Sequence, residues 1–221
     1  MKYIIMCGGS YEHWRTPRQM LPINGEPIAV RTIRLLKECG ATDISVSVSN
    51  GKDNYEHFKP CIKAGAPLLI HKKSWVVIRP GKSVGHWCDA FFPTDEPTTY
   101  LMGDVVFSKK AIETIVNTET DDIEFFASAP PFSKEYIKPY AEPFAFKVVN
   151  NKHLREAQQR CRELADSGAF RRRPIAWEFW QVVKGTTLNQ IDYTNYTVIN
   201  DYTCDIDVPK DIDRFMTIKI D

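Results

Sequence analysis

Glycines and arginines gather near the start of this sequence in a pattern suited to phosphate binding. Residues 6–28 read "MCGGSYEHWRTPRQMLPINGEPI", so Gly8 and Gly9 follow an apolar run and Arg15 and Arg18 come soon after. Glycines let backbone N–H groups approach a phosphate closely, and an arginine fork pairs with two phosphate oxygens at once. The stretch indicates an anion-binding loop. The alternative is a tight turn with solvated arginines.

Acidic residues form a second group that could do chemistry. Asp104 follows an apolar stretch in "YLMGDVVFS", and Asp205 and Asp207 stand close together in "CDIDVPKDIDRF". Mg²⁺ takes hard oxygen ligands, typically one or two carboxylates with phosphate oxygens and water. These aspartates are therefore candidate metal ligands. Taken one at a time, each also fits a helix cap or a turn.

Strands and helices alternate along the chain and must position these groups. Hydrophobic periodicity predicts strands over residues 2–7, 44–48, 68–70, 75–78, 98–102, 123–127 and 144–149. It predicts helices over residues 28–39, 55–64, 109–117, 152–165 and 175–183, a helix from an N-cap at Ser83 to about residue 92, and a last one starting at Pro209. Alternating order argues for a mostly parallel sheet with helices on both faces. The predicted fold is a three-layer αβα sandwich with a Rossmann-like central sheet.

Composition sets the limits of the interpretation. With 221 residues and 43% apolar residues, the chain fits one domain, residues 1–221, with a sizeable core. A formal net charge of +1 argues against nucleic-acid or acidic-membrane partners, and no apolar run is long enough for a membrane span. The start is too short for a signal peptide. Six cysteines without a C-x-x-C pair predict free thiols in a reducing cytoplasm.

The loop resembles the nucleotide loop of nucleotidyltransferases, which include sugar-phosphate nucleotidylyltransferases and the cytidylyltransferases of isoprenoid and phosphocholine metabolism. The family pattern is a strand, a Gly-Gly run, a basic residue and Pro-Lys-x-Leu-hydrophobic-Pro-hydrophobic-x-Gly-x-Pro, which "TPRQMLPINGEP" follows closely. The resemblance implies that Gly8, Gly9 and Ser10 contact the nucleotide. It also implies catalytic roles for Arg15 and for Arg18, which stands where the family has lysine.

The same resemblance extends to the acidic residues. Asp104 matches the family's Gly-Asp aspartate, which binds the catalytic Mg²⁺, and Asp207 matches the second metal ligand, with Asp205 as the alternative for that role. The family's loop that packs on the base and ribose corresponds to "RPGKSVGHWCDAFF", in which Ser83 is a candidate nucleotide contact. A helix N-cap is the alternative reading of Ser83.

The acceptor side of such an enzyme falls in residues 130–195, which carry none of the nucleotide motifs. Glu142 and Lys147 are candidate contacts for an acceptor hydroxyl, amine or phosphate, and Arg172 belongs to a cationic run at residues 171–173. Solvated surface charges are the alternative for all three. Trp177 and Trp180 are expected in the core or at an interface.

The implied activity is transfer of a nucleoside monophosphate from a nucleoside triphosphate to a phosphorylated sugar or alcohol, with Mg²⁺ as cofactor and pyrophosphate released. The expected protein is a cytoplasmic monomer or homodimer. One alternative is a nucleotide-sugar-dependent glycosyltransferase using Asp205 and Asp207, although few residues follow them. The other is a nucleotide-binding module without catalysis. Release of pyrophosphate rather than nucleoside diphosphate, and turnover rather than binding alone, distinguish these possibilities.

Overall fold

A seven-stranded sheet forms the centre of the computed structural model, which describes residues 1–8, 16–49, 54–71, 75–79, 82–129 and 141–220. Its strands run in the order β12-β10-β11-β8-β1-β4-β5. They are β1 (Lys2–Met6), β4 (Asp43–Ser49), β5 (Leu68–His71), β8 (Thr98–Met102), β10 (Ile123–Ala127), β11 (Pro143–Val148) and β12 (Thr197–Val198). Neighbouring strands are parallel except at β11, which is antiparallel to both β10 and β8.

Three short two-stranded ribbons lie beside this sheet. They pair β2 (Pro22–Ile23) with β3 (Glu26–Pro27), β6 (Trp75–Arg79) with β7 (Lys82–Gly85), and β9 (Val105–Val106) with β13 (Cys204–Asp205). All three pairs are antiparallel. The β9–β13 ribbon joins two distant parts of the chain, and both of them carry aspartates.

Helices cover both faces of the central sheet. They are α1 (Ile28–Glu38), α2 (Asn54–Lys63), α3 (Lys109–Asn117), α4 (Asn151–Asp166), α5 (Ala176–Lys184) and α6 (Lys210–Phe215), with short 3₁₀ helices at Arg18–Met20 and Trp87–Ala90. Several ends follow sequence rules. Ser108 caps α3 by accepting a hydrogen bond from Ala111 N, and Gly185 ends α5 with a φ of +65°.

The alternation of side chains along β1 divides the core into two layers. Tyr3, Ile5 and Cys7 pack into a cluster with residues of α1, α2, α3 and α6. Ile4 and Met6 point the other way, into a cluster with residues of α4 and α5. The predicted three-layer αβα sandwich with a mostly parallel central sheet is therefore confirmed.

Most predicted elements are present, and one is wrong. The strands at 98–102 and 123–127 and the helix at 109–117 have the predicted bounds. The predicted helix with Ser83 as its N-cap is wrong, because residues 82–85 form strand β7 of a hairpin with β6. The Pro80-Gly81 pair between these strands is a turn signal that favours a hairpin over a helix start.

The state of the cysteines and the burial of two tryptophans agree with the sequence-based expectations. The six cysteines are free thiols. Trp177 and Trp180 of α5 are buried in the core layer that α4 and α5 form against the sheet, as predicted. Across the described residues, every helix is too short or too polar to cross a bilayer.

Candidate active site

The site forms where parallel strands end at one edge of the sheet. Strand β1 ends at Met6 and leads to Gly8, and its neighbour β8 ends at Met102 and leads to Gly103 and Asp104. We call this the carboxyl edge. Loops that follow neighbouring parallel strands meet there, which is why ligands gather at such edges in α/β proteins.

Gly103 fixes the distance between the two strand ends. Its N–H donates to Met6 O at 3.1 Å. A Cβ at this position would stand only 2.6 Å from Met6 O and 2.6 Å from Cys7 Sγ, which is closer than side chains tolerate. Glycine is therefore required for Asp104 to leave the sheet next to β1.

Replacing Gly103 by alanine is expected to destabilise the fold and displace Asp104. Overpacking of this kind typically costs about 1–3 kcal/mol of unfolding free energy, and chemical denaturation would measure it. Gly168→Ala is the comparison, because Gly168 has a φ of +73° but open space around its Cβ position. Only Gly103→Ala should also change ligand binding at the carboxyl edge. Equal ligand binding in both variants would contradict the view that the close packing of Gly103 against Met6 positions Asp104.

Cys7 lies beside this junction but is not suited to nucleophilic chemistry. Burial raises the pKa of its thiol well above the ordinary value, and Cys61 and the Asp104 carboxylate raise it further. The reactive form of cysteine is the thiolate, so Cys7 stays protonated and inert at neutral pH. The described site therefore relies on charge and positioning.

Arg18 is the central cation of the site. It begins the 3₁₀ helix at Arg18–Met20, and its Nη2 lies 2.8 Å from Asp104 Oδ2 while its Nη1 lies 2.9 Å from Asp207 Oδ1. Nη1 also donates to Ile206 O at 3.0 Å. One guanidinium thus joins the carboxylate that follows β8 to the one that follows β13. The two aspartates singled out from the sequence are brought together as expected.

The β9–β13 ribbon brings these aspartates together. Asp104 immediately precedes β9, and its carbonyl accepts a hydrogen bond from Ile206 N at 2.9 Å. Asp205 pairs with Val105 across the ribbon. Beyond it, Asp211 Oδ2 accepts hydrogen bonds from the N–H groups of Asp207 and Val208 at 2.8 and 2.9 Å, which ties the segment before α6 to its first turn. The segment that carries Asp207 is therefore held at both ends.

Three carboxylates form an acidic cluster in the site. Glu142, Asp205 and Asp207 each offer an oxygen, and these oxygens all lie within 4.8 Å of one another. Three hard oxygen donors at this spacing fit a divalent cation such as Mg²⁺. Asp104 is not in this group and contacts Arg18 instead. The donor set therefore differs from the expected pair of Asp104 and Asp207, although the residues present fit the same ion.

Glu142 is the member of the acidic cluster that the sequence did not assign to a metal. It is 2% exposed and immediately precedes β11. Because β11 is antiparallel to β8, the start of β11 lies at the carboxyl edge where β8 ends. Two hydrogen bonds with Ser128 hold its backbone there, one from Glu142 N to Ser128 Oγ and one from Ser128 N to Glu142 O.

Lys147 lies at the opposite end of β11, which changes its interpretation. It pairs with Thr99, near the start of β8, and its Nζ donates to the carbonyls of Val116 and Thr118 at 3.0 and 2.5 Å. Burial lowers the pKa of this ammonium group, while Glu119 and Glu124 act in the opposite direction. We therefore replace the expected acceptor contact of Lys147 with a structural role at the C-terminal end of α3.

Lys147→Met is expected to lower stability without affecting substrate binding. Two carbonyls at the end of α3 lose a charged donor, which typically costs about 1–3 kcal/mol of unfolding free energy. Lys59→Met is the matched control, because it removes an exposed lysine of α2 and changes the net charge by the same amount. Thermal unfolding and the acceptor KM should be measured for both variants. A raised acceptor KM in Lys147→Met alone would restore the acceptor assignment.

Arg172 has a partner in its own segment. Its Nε donates to Glu178 Oε1 at 2.6 Å, and Glu178 Oε2 accepts from Ile175 N at the start of α5. Burial raises the pKa of Tyr193; the charge of Arg172 acts against this shift, and those of Glu178 and Glu142 add to it. The acceptor contact expected from Arg172 stays a prediction.

Other predicted contacts cannot be placed in this geometry. Gly9, Ser10 and Arg15 lie outside the described residues. Ser83 lies within β7, and Gly8 is described at the end of β1. The nucleotide contacts expected from Gly8, Gly9, Ser10 and Ser83 and the catalytic role expected of Arg15 stay predictions.

Solved structures share this fold over nearly the whole chain. A Bacillus anthracis protein provisionally assigned as a glucose-1-phosphate thymidylyltransferase, solved with sucrose, matches with a TM-score of 0.58 at 15% identity, covering 97% of this chain and 93% of that one. The CTP:phosphocholine cytidylyltransferase LicC of Streptococcus pneumoniae matches with a TM-score of 0.55 at 16% identity, with 96% of each chain covered.

A third structure, HddC of Yersinia pseudotuberculosis complexed with GMP-PN, matches with a TM-score of 0.55 at 13% identity and 96% coverage of both chains. No protein-family model and no curated protein sequence matches this chain. At these identities the structural likeness establishes the fold alone.

Proposed function

We propose that the protein is a nucleotidyltransferase that transfers a nucleoside monophosphate from a nucleoside triphosphate to a phosphorylated small molecule and releases pyrophosphate. The observation that carries the proposal is the contact of Arg18 with both Asp104 and Asp207 at the carboxyl edge. A loop cation and two acidic segments from distant parts of the chain meet at one point. Structures of the same fold include a phosphocholine cytidylyltransferase, which supports the proposal.

Arg18 supplies the positive charge in this proposal. An acceptor phosphate oxygen attacks the α-phosphorus, the bond to the bridging oxygen breaks, and pyrophosphate leaves. Negative charge spreads over the phosphoryl oxygens during this transfer, so catalysis consists mainly of positioning and electrostatic stabilisation. A guanidinium fork matches those oxygens. Asp104 and Asp207 orient the fork, and no covalent nucleophile is needed from the protein.

The acidic cluster would hold Mg²⁺. Glu142, Asp205 and Asp207 supply the protein oxygens, and Asp104 stands on the other side of Arg18 as a further carboxylate of the site. The bound ion would neutralise phosphate charge and orient the triphosphate. Gly8, just beyond the end of β1, has no side chain and would let a phosphate group approach the backbone closely.

The acceptor would bind between residues 130 and 195, which we assign as the acceptor-side portion of a single domain spanning residues 1–221. Glu142 belongs to the acidic cluster, and the charges of Glu142 and Arg172 both act on the pKa of Tyr193. An acceptor with one phosphate and a polar body, such as a sugar phosphate or a phospho-alcohol, suits a site with both charges. The expected protein is cytoplasmic, as a monomer or homodimer, without nucleic-acid or membrane partners.

A screen for pyrophosphate release tests the proposal. The four common nucleoside triphosphates are each incubated with Mg²⁺ and with a panel of sugar phosphates, polyol phosphates and phosphocholine. Pyrophosphate produced only when one acceptor and one triphosphate are both present would support the proposal. Production of free nucleoside diphosphate from a nucleotide sugar would instead indicate a glycosyltransferase. Triphosphate binding without turnover of any acceptor would indicate a binding module.

A further inference from the structure

A fully buried arginine lies beneath the ribbon that carries the acidic residues. Arg31 of α1 is 2% exposed, on a helix whose other buried residues are apolar except for Thr32. Burying a guanidinium is costly, and an aliphatic side chain would fill the same space without that cost. Its presence calls for a role that packing alone does not supply.

The guanidinium of Arg31 contacts the two segments that flank the β9–β13 ribbon where β9 ends and β13 begins. We call this end the base of the ribbon. Nη1 donates to the carbonyl of Phe107, which follows β9, at 2.6 Å. Nη2 donates to the hydroxyl of Tyr202, which precedes β13, at 3.1 Å. The rigid spacing of the two Nη groups therefore fixes the distance between two segments that are far apart in sequence.

Polar contacts beside Arg31 continue this anchor. Ser108 Oγ donates to Asp201 Oδ2 at 2.6 Å, Thr203 N donates to Asp201 Oδ1 at 2.7 Å, and Ser108 N donates to Thr203 Oγ1 at 2.9 Å. Residues after β9 and residues before β13 are thus joined by hydrogen bonds at the base of the ribbon. Its other end carries Asp104 and Asp207.

The ribbon needs such an anchor because it is very short. Each strand has two residues, and among the described residues the pair forms a sheet of its own. An isolated two-stranded hairpin is at best marginally stable in water. A change in its register would move Asp205 relative to Asp104 by one residue and would turn its side chain to the other face.

We infer that Arg31 is a positioning residue, which acts through Phe107 and Tyr202 to hold the β9–β13 ribbon in the register that places Asp104, Asp205 and Asp207 in the site. The inference rests on the proposed function for its metal-binding consequence, but not for its structural part.

Tyr202→Phe tests the inference with the smallest change, since it removes only the hydroxyl that Arg31 donates to. Arg31→Lys is the second variant, because it keeps the charge but replaces two nitrogen donors of fixed spacing by one, and Arg31→Met is the full loss. Ile33→Val, a buried change on the same helix, controls for lost stability, and Tyr55→Phe on α2 controls for loss of an exposed hydroxyl.

Amide hydrogen exchange is the first measurement, because it does not depend on any ligand. The N–H of Ile206, which donates to Asp104 O across the ribbon, should exchange faster in Tyr202→Phe and Arg31→Lys than in Ile33→Val at matched global stability. Arg31→Met should show the largest increase. Unchanged protection of Ile206 in Tyr202→Phe and Arg31→Lys would overturn the inference.

Binding of Mn²⁺ alone, measured by calorimetry, is the second measurement. Outer-shell partners of a metal site typically change its affinity by 10–100-fold, so Tyr202→Phe should weaken Mn²⁺ binding by about 10-fold and Arg31→Met by more. Faster exchange at Ile206 with unchanged Mn²⁺ affinity would overturn the positioning role. If the unmodified protein binds no Mn²⁺, the metal part of the proposed function fails, and hydrogen exchange still decides whether Arg31 anchors the ribbon.

Discussion

Arg18→Ala is expected to reduce nucleotidyl transfer by about 10²–10³-fold, the usual consequence of losing one group that stabilises transition-state charge. The reason is its position, with Nη2 at Asp104 and Nη1 at Asp207. Removing the fork takes the central cation out of the site and leaves two carboxylates facing each other. Steady-state kinetics with the best triphosphate and acceptor would measure the loss.

Arg34→Ala is the matched control for this experiment. Arg34 of α1 also pairs with two carboxylates, Glu26 at 3.0 Å and Glu38 at 2.8 Å, but it lies outside the site. Its loss should leave turnover unchanged. Arg18→Lys, which keeps the charge, should retain more turnover than Arg18→Ala, and the unfolding temperatures should stay close to that of the unmodified protein. Equal turnover in Arg18→Ala and Arg34→Ala would remove Arg18 from the mechanism.

Asp207→Asn is the second change with a large expected effect. Asp207 belongs to the acidic cluster and also holds Nη1 of Arg18, so one substitution weakens both the metal site and the orientation of the fork. Because even outer-shell partners typically cost 10–100-fold, loss of a direct ligand should weaken Mn²⁺ binding by more than about 100-fold. Calorimetry with Mn²⁺ and the Mg²⁺ dependence of turnover would both report it.

Asp213→Asn provides the control for net charge. Asp213 is an exposed residue of α6, six residues beyond Asp207. Its replacement by asparagine removes the same charge from the same region. Mn²⁺ affinity should not change in this variant. If the two aspartate variants bind Mn²⁺ alike, the acidic cluster does not hold the ion.

The approach of Asp104 to the end of β1 could be predicted from strand direction. Residues that directly follow neighbouring parallel strands lie at one edge, so Gly8 after β1 and Asp104 after β8 were expected there. Arg18 and Asp207 do not directly follow strands of that sheet, and they were assigned to the site through the resemblance to nucleotidyltransferases. The positions of the two central strands and of α3 follow from hydrophobic periodicity.

Glu142 and Lys147 were interpreted less well because both depend on the direction of β11. The sequence of this strand shows that it is extended but not whether it runs with or against its neighbours. As an antiparallel strand, it places Glu142 at the carboxyl edge and Lys147 at the far end of the sheet. A parallel strand would have exchanged these positions.

Arg31 escaped prediction for a different physical reason. A charged residue in an amphipathic helix normally lies on the solvated face, and Ala29, Ile33 and Leu36 define the core face without it. Its burial depends on the Phe107 carbonyl and the Tyr202 hydroxyl, which come from segments 76 and 171 residues away. No local pattern contains those partners.

The reversal of β11 also has a consequence for how such a protein can diversify. Since β10 ends and β11 begins at the carboxyl edge, the connection between Ala127 and Pro143 starts and finishes beside the site. Its length can change without altering the register of either strand, because both neighbours are fixed by their own ladders. We therefore expect a library confined to residues 129–141 to vary the proposed acceptor site while leaving the seven-stranded scaffold intact.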